Sequence, residues 1–272
     1  RGPEGMLKDI TLGQYFPGKT VVHRLDPRTK LLMTVLYIVA LFVAQGWIAY
    51  GIVFAFLVMS IALSRIRPKA VLRGLKPVVI VVIFTAVLNL FYTGGEHVLV
   101  RFWGLTITWE GIQAALFMGT RIIMLITGTF LLTYTTSPIA LTDGLESLLN
   151  PLKKIRLPVH ELTMIMCIAL RFIPTLIEET DKIMSAQKAR GADFESGNLL
   201  QRAKALVPIL VPLFISAFRR ADELATAMEC RCYQGGNGRT KLKVLKFAPR
   251  DGAALILGAA LVAAMILLKQ LG

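Results

Sequence analysis

The sequence predicts an all-α integral membrane protein, with about five transmembrane helices and a cytoplasmic platform of long helices. Three observations carry that expectation. Hydrophobic residues make up 55% of the chain and the mean hydropathy is +0.62, too apolar for an ordinary soluble enzyme. Residues 31 to 64 hold no charged side chain over 34 positions, and a hydrocarbon core of about 30 Å takes about 20 helical residues. Yet the formal net charge is +14. That charge must sit in water, so a large basic aqueous part accompanies the spans.

Residues before Met6 are expected to be a remnant foreign to the natural start. No cleavable secretory signal is read, because the first apolar run follows a polar lead and continues into more apolar sequence. Residues 13 to 30 are rich in turn formers and bases and form a cytoplasmic lead-in, with Asp26 as a helix cap and Pro27 at the first helical position. The run from Leu31 to Ser64 is long for one span and short for two. Gln45-Gly46 near its middle favours two compact helices, at about 31–45 and 47–63. A third span is expected at about 77–92, after the basic connector Arg65, Arg67, Lys69, Arg73 and Lys76.

Residues 96 to 110 alternate loosely (Val98, Val100, Phe102, Leu105, Ile107) and carry Trp103 and Trp109, as an interfacial segment does. The fourth span, 111–134, contains Arg121. An arginine at membrane depth is costly and by default a candidate functional residue; the plainer reading is that it faces other helices and pairs or snorkels. Ser137 then caps a short helix opened by Pro138 and closed near Asn150-Pro151, and a basic connector runs on to Pro158.

Two further apolar runs are interrupted. Leu162 to Leu170 gives nine uncharged residues before Arg171 and Pro174, and Ala205 to Phe218 gives 14 broken by Pro208 and Pro212. Runs of that length mark buried or interfacial helices more often than spans. Their continuations, Glu178 to Arg190 and Arg219 to Arg231, are highly charged. Residues 159–190 and 203–231 therefore read as two long helices, greasy first and wet after, forming the platform. The last span lies within 251–272, where Ala254 with Gly258, and Ala259 with Ala263, allow close helix packing.

Lys and Arg number six in residues 1–30, five in 64–76, one in 92–110 and seventeen in 135–250. This asymmetry puts the amino terminus and the platform on the cytoplasmic side. The parts are an N-terminal membrane part, 1–134, a cytoplasmic domain, 135–250, and a C-terminal transmembrane helix, 251–272.

The candidate functional residues come from a short pattern that occurs twice. Ala189-Arg190-Gly191 and Cys230-Arg231-Cys232 each set an arginine between small residues at a helix tail, 41 residues apart. A cation there is favoured by the helix dipole by roughly 0.3–1 kcal/mol, and Gly191 suits a left-handed helix stop. Stabilising a helix end is thus one reading. The duplication supports another: small neighbours let a partner surface approach, and guanidinium offers a planar fork for carboxylates.

Other chemistry finds little support. Cys167, Cys230 and Cys232 form no disulfide framework, and two thiols with His23, His97 and His160 in separate segments make a poor zinc site. The one dense acid group, Glu178-Glu179 with Asp181, reads as a solvated helix face rather than a catalytic set. No Gly-x-x-x-x-Gly-Lys-Ser/Thr phosphate loop is present in the sequence. A membrane-embedded enzyme and a stand-alone permease remain the alternatives, and neither accounts for two arginine-tipped arms.

The chain resembles the transmembrane T-component of energy-coupling factor (ECF) transporters, the vitamin and metal-ion relatives of ABC importers. The resemblance rests on Tyr15-Phe16-Pro17-Gly18, Leu25 to Lys30, Thr135-Thr136-Ser137-Pro138, Pro151-Leu152-Lys153-Lys154 and Arg171-Phe172-Ile173-Pro174, and most specifically on Ala186 to Phe194 with Arg220 to Tyr233. It implies a non-catalytic scaffold in the cell membrane that binds no cofactor itself. Its coupling helices would end in small-Arg-small motifs, here at Ala189, Arg190, Gly191 and Cys230, Arg231, Cys232. These would dock on two cytoplasmic ATPase subunits that bind ATP. The second motif departs from the commoner Ala-Arg-Gly form, although residue size is preserved. The expected surface for a substrate-binding membrane S-component is Leu162, Ile165, Leu170, Ile173 and Leu176 with Leu206, Leu210, Leu213 and Phe214; the alternative is that these pack the platform's own core. Membrane lipid completes the expected partners, with no nucleic acid among them.

Overall fold

The computed structural model describes residues 15–94, 98–102, 105–151, 158–194, 198–235 and 244–271. Expectations at Trp103 and along the connector 152–157 lie outside these residues. The described chain is all-α apart from one hairpin. Its helices are α1 (Pro27–Val43), α2 (Gly46–Ser64), α3 (Pro68–Tyr92), α4 (Trp109–Thr135), α5 (Pro138–Leu149), α6 (Val159–Ala189), α7 (Leu199–Cys230) and α8 (Pro249–Leu271). Two compact units result, one of residues 13–147 with 245–272 and one that includes 148–244. Sequence reading drew its boundaries at 134/135 and 250/251; in the structure α5 and the approach to α8 go with the membrane helices.

The expected spans correspond to α1, α2, α3, α4 and α8. By length and composition, six described helices suffice to cross a membrane: α2, α3, α4, α6, α7 and α8. The arms α6 and α7 qualify because each contains a long apolar stretch with few charged residues. α1, with 17 residues, is shorter.

Local chemistry sets the ends of the membrane helices. Asp26 accepts a hydrogen bond from the Arg28 N–H at 2.9 Å, with Pro27 opening α1 as the sequence predicts. Ser137 Oγ accepts from the Ala140 N–H at 3.3 Å at the start of α5. α3 differs from expectation: it opens at Pro68 and carries Pro77 inside, so Lys69, Arg73 and Lys76 of the basic connector are helical. Pro77 removes one backbone donor, but helix lies on both sides of it. Residues 96–110 fold in part into an antiparallel hairpin of β1 (Val98–Phe102) and β2 (Leu105–Thr108), with Val98 opposite Thr108 and Phe102 opposite Leu105. Thr108 joins this hairpin to the helices. Its hydroxyl donates to the Thr93 carbonyl at 3.0 Å and accepts from the Gly111 N–H at 3.1 Å.

The core of this unit lies between α1, α2, α4 and α8, around Leu41, Val53, Met124 and Met265, all buried. Gly128 lets Tyr37 lie flat against α4, where any Cβ would strike the ring, and the Tyr37 hydroxyl donates to the Met124 carbonyl at 3.0 Å. Gly258 likewise admits Met33 and Leu36 of α1. Of the two small pairs expected in the last helix, only the one with Gly258 serves this packing. Ala259 and Ala263 are exposed, because Gly258, Leu261 and Met265 define the inward stripe.

A buried polar network fastens the two ends of the unit together. Asp251, 1% exposed, accepts from the Asp26 and Ala248 backbone N–H groups, both at 2.8 Å. Lys30 donates to the carbonyls of His23 at 3.1 Å and Thr135 at 2.8 Å. The C-terminal helix is thereby pinned to the lead-in, a link that local sequence did not announce.

Candidate functional site

The arm unit is built on α6 and α7, and the two helices stop in the same way. At the end of α6, Arg190 has φ −87° and ψ 5°, and Gly191 turns to φ +87°. The Gly191 N–H donates to the Lys188 carbonyl at 2.9 Å and the Ala192 N–H to the Gln187 carbonyl at 3.0 Å. At the end of α7, Arg231 has φ −92° and ψ 14°, and Cys232 turns to φ +55°. There the Cys232 N–H donates to the Glu229 carbonyl at 2.8 Å and the Tyr233 N–H to the Met228 carbonyl at 3.0 Å. Both ends are Schellman motifs, one of which holds a non-glycine residue in the left-handed region at a cost of roughly 1–2 kcal/mol.

This shared cap gives both arginines one backbone geometry. Arg190 and Arg231 are exposed, as are Ala189, Gly191, Cys230 and Cys232 around them. Among the described residues neither guanidinium has a side-chain partner. Both cysteines are free thiols, and no described group of three or more His, Cys, Asp or Glu could hold a metal ion. The small neighbours leave each fork accessible to a partner.

Three side-chain ties hold α6 against α7. Glu179 accepts from the Ser216 hydroxyl with one oxygen and from Arg220 Nη2 at 2.9 Å with the other. Gln187 Nε2 donates to the Pro208 carbonyl at 3.3 Å, and the Tyr233 hydroxyl donates to the Met164 sulfur at 3.0 Å. The ties advance along α6 as they retreat along α7, so the helices run antiparallel. The Gln187 bond has a specific cause. Pro212 lacks the N–H that would bind the carbonyl of Pro208, and α6 supplies the missing donor.

The central clamp also reveals symmetry. Glu179 and Arg220 are 41 residues apart, the same spacing as Arg190 and Arg231. Corresponding positions of the repeat therefore meet each other, as they do at a two-fold axis. Each tip lies eleven residues beyond the clamp, roughly 16 Å at the helical rise. The tips stand at opposite ends of the pair, roughly 33 Å apart for straight helices.

The expected S-component surface divides. Leu162, Ile165, Leu206, Leu210 and Phe214 are exposed, whereas Leu170, Ile173, Leu176 and Leu213 are half-buried. Antiparallel pairing sets the apolar half of each arm beside the charged half of the other. The acid group Glu178-Glu179-Asp181 is only partly a solvated face: Glu178 is exposed, but Glu179 is the clamp. Glu179, Ser216 and Arg220 were the residues sequence reading missed. The repeat spacing held the signal, since it places Arg220 at the position equivalent to Glu179.

Comparison with known proteins identifies the family. A profile of the CbiQ family, described as cobalt transport protein, matches residues 18–242, which include both arms and both tips. The energy-coupling factor transporter transmembrane protein EcfT of Clostridium kluyveri is 56% identical over 263 residues, covering 96% of this chain and 97% of the relative. Its counterpart in Thermosediminibacter oceani is 57% identical over 250 residues, covering 92% and 94%. That of Bacillus subtilis is 47% identical over 251 residues, covering 92% and 95%. The chain belongs to the family of energy-coupling factor transporter transmembrane proteins, as a multi-pass membrane component of such a transporter.

Proposed function

We propose that this chain is the non-catalytic scaffold of an ECF importer in the cell membrane, with its amino terminus and arms on the cytoplasmic side. It passes the work of ATP hydrolysis by two cytoplasmic ATPase subunits to a membrane S-component that binds a vitamin or metal ion. Arg190 and Arg231 are the plugs, each seated in one ATPase subunit. The exposed apolar residues Leu162, Ile165, Leu206, Leu210 and Phe214 face the S-component. When the ATPase pair closes and opens, the arms move about the Glu179 clamp and reorient the S-component. ATP is bound by the partners, and this chain carries no cofactor.

One observation carries the reading. Two arginines with the same cap geometry, neither with a side-chain partner among the described residues, stand at symmetric positions about a clamp, and such a scaffold matches a partner with two similar sockets. Arginine is suited to that role because its fork makes paired, charge-assisted bonds with carboxylates. Removing one member of a desolvated charge pair costs roughly 2–5 kcal/mol at an interface.

The test is a pull-down of the ATPase subunits with Arg190→Ala, Arg231→Ala and the double variant, all recovered from the membrane. Each single change should weaken association by at least tenfold, about 1.4 kcal/mol. The double change should abolish coupled transport. Arg190→Lys should also impair binding, because it keeps charge but loses the fork. Retention of the ATPases at full yield by the double variant overturns the assignment.

A further inference from the structure

The membrane unit contains a step, and Arg121 stands on it. α1 and α2 have 17 and 19 residues, whereas α3 and α4 have 25 and 27. Lys30 reaches the Thr135 carbonyl and Tyr37 the Met124 carbonyl, so the start of α1 lies level with the end of α4 and the two run antiparallel. The last turn of α1 comes level with Arg121, whose guanidinium carbon lies 5.8 Å from the Phe42 ring centroid. Beyond that point α4 continues twelve residues to Trp109, roughly 18 Å. α3 accompanies it, as the Thr108–Thr93 bond at its far end requires. The turn at Ala44-Gln45 therefore stops well short of the far end of α3 and α4.

The step falls where headgroups reach only if the bilayer adapts. The uncharged part of α1, residues 31–43, spans roughly 20 Å, about two thirds of the hydrocarbon thickness. A span that short is met by local thinning. Arg121 suits such a boundary. Its Nε donates to the Tyr50 hydroxyl at 2.7 Å, and its guanidinium lies 5.8 Å from the Tyr50 ring centroid. Trp47, 58% exposed, packs its ring 4.6 Å from Phe117 on the same level. Among the described residues the two terminal nitrogens of Arg121 have no partner, and no carboxylate offsets its charge. An aromatic belt with a cation holding free donors marks an interface with anions.

We propose that Arg121 binds the phosphate of a phospholipid drawn into the step, in the leaflet opposite the basic lead-in. The free edge of the guanidinium donates to two phosphate oxygens. Tyr50 and Phe42 fix its plane.

The experiment uses the full chain in nanodiscs and in gentle detergent, with native mass spectrometry as the readout. The probes are dioleoyl phosphatidylcholine and dioleoylglycerol, which share acyl chains and differ in the phosphate headgroup. Wild-type protein should retain the phospholipid about tenfold more strongly than the glyceride. Arg121→Gln should lose that preference and Arg121→Lys should keep part of it. Equal retention of both lipids by the wild type overturns the proposal without recourse to a variant. Unchanged phospholipid retention in Arg121→Gln also overturns it, and if that variant then sheds a membrane partner, the fork holds a protein carboxylate instead.

Discussion

Breaking the clamp between the arms should uncouple the transporter while leaving its plugs in place. The perturbation is a double-mutant cycle of Glu179→Gln and Arg220→Met. Exposed ion pairs contribute roughly 0–1 kcal/mol, and breaking a buried one costs roughly 3–5 kcal/mol. The Glu179 and Arg220 side chains are 23% and 34% exposed, so the clamp lies between these limits, nearer the exposed one. Its second carboxylate oxygen also accepts from Ser216. A coupling energy of about 1–2 kcal/mol is expected, within the span measured for residues of one network. Equilibrium unfolding of the full chain in mixed micelles, followed by circular dichroism, gives that energy. In parallel, ATPase pull-down should remain near wild type and coupled transport should fall several-fold, since the tips keep their caps but lose a common pivot. A coupling energy indistinguishable from zero in folded variants, or full transport in the double variant, refutes the reasoning.

Two further outcomes follow from the geometry. Asp251→Ala leaves one buried and one partly buried backbone N–H group without their carboxylate and should destabilise the membrane unit by roughly 2–4 kcal/mol. Asp251→Asn should recover part of the loss, both seen as the detergent-solubilised unfolding midpoint. Cys232→Gly removes a left-handed strain of roughly 1–2 kcal/mol but adds glycine's chain entropy of roughly 0.5–1 kcal/mol. A net gain of about 0.5–1 kcal/mol with undiminished ATPase pull-down is expected, and a loss in either measurement contradicts the cap assignment.

Local chemistry was legible in the sequence wherever it was self-contained. The Asp26 and Ser137 caps, the Gly191 stop and the apolar runs each depend on residues within a few positions of one another. The two arms were legible too, although α7 begins at Leu199, earlier than expected, because Asn198 and Gln201 form a capping box there. What escaped was chemistry between distant positions. Glu179 reads as solvated because its acid group lies amid Lys182 and Lys188, while its partners lie 37 and 41 residues away. Arg121 had no sequence neighbour to pair with, and its partner Tyr50 is 71 residues off. The third span is expected from about residue 77, after the basic connector, whereas the helix opens at Pro68 and carries Pro77 inside it. The loose alternation of 96–110 suggests an interfacial segment, and the strand pairing within it follows from the same period of two.

Each arm tip is drawn by its own last few peptide groups, with no reliance on the rest of the molecule for its shape. Such a tip behaves as a portable cassette. The shafts behind it are free to drift in sequence, to lengthen by whole turns, or to suit a different companion in the bilayer, while the plug they present keeps its form. On the proposed docking, a motor with two matching sockets serves many unlike membrane scaffolds, provided only that the few residues at each shaft's end stay small, basic and turned the same way.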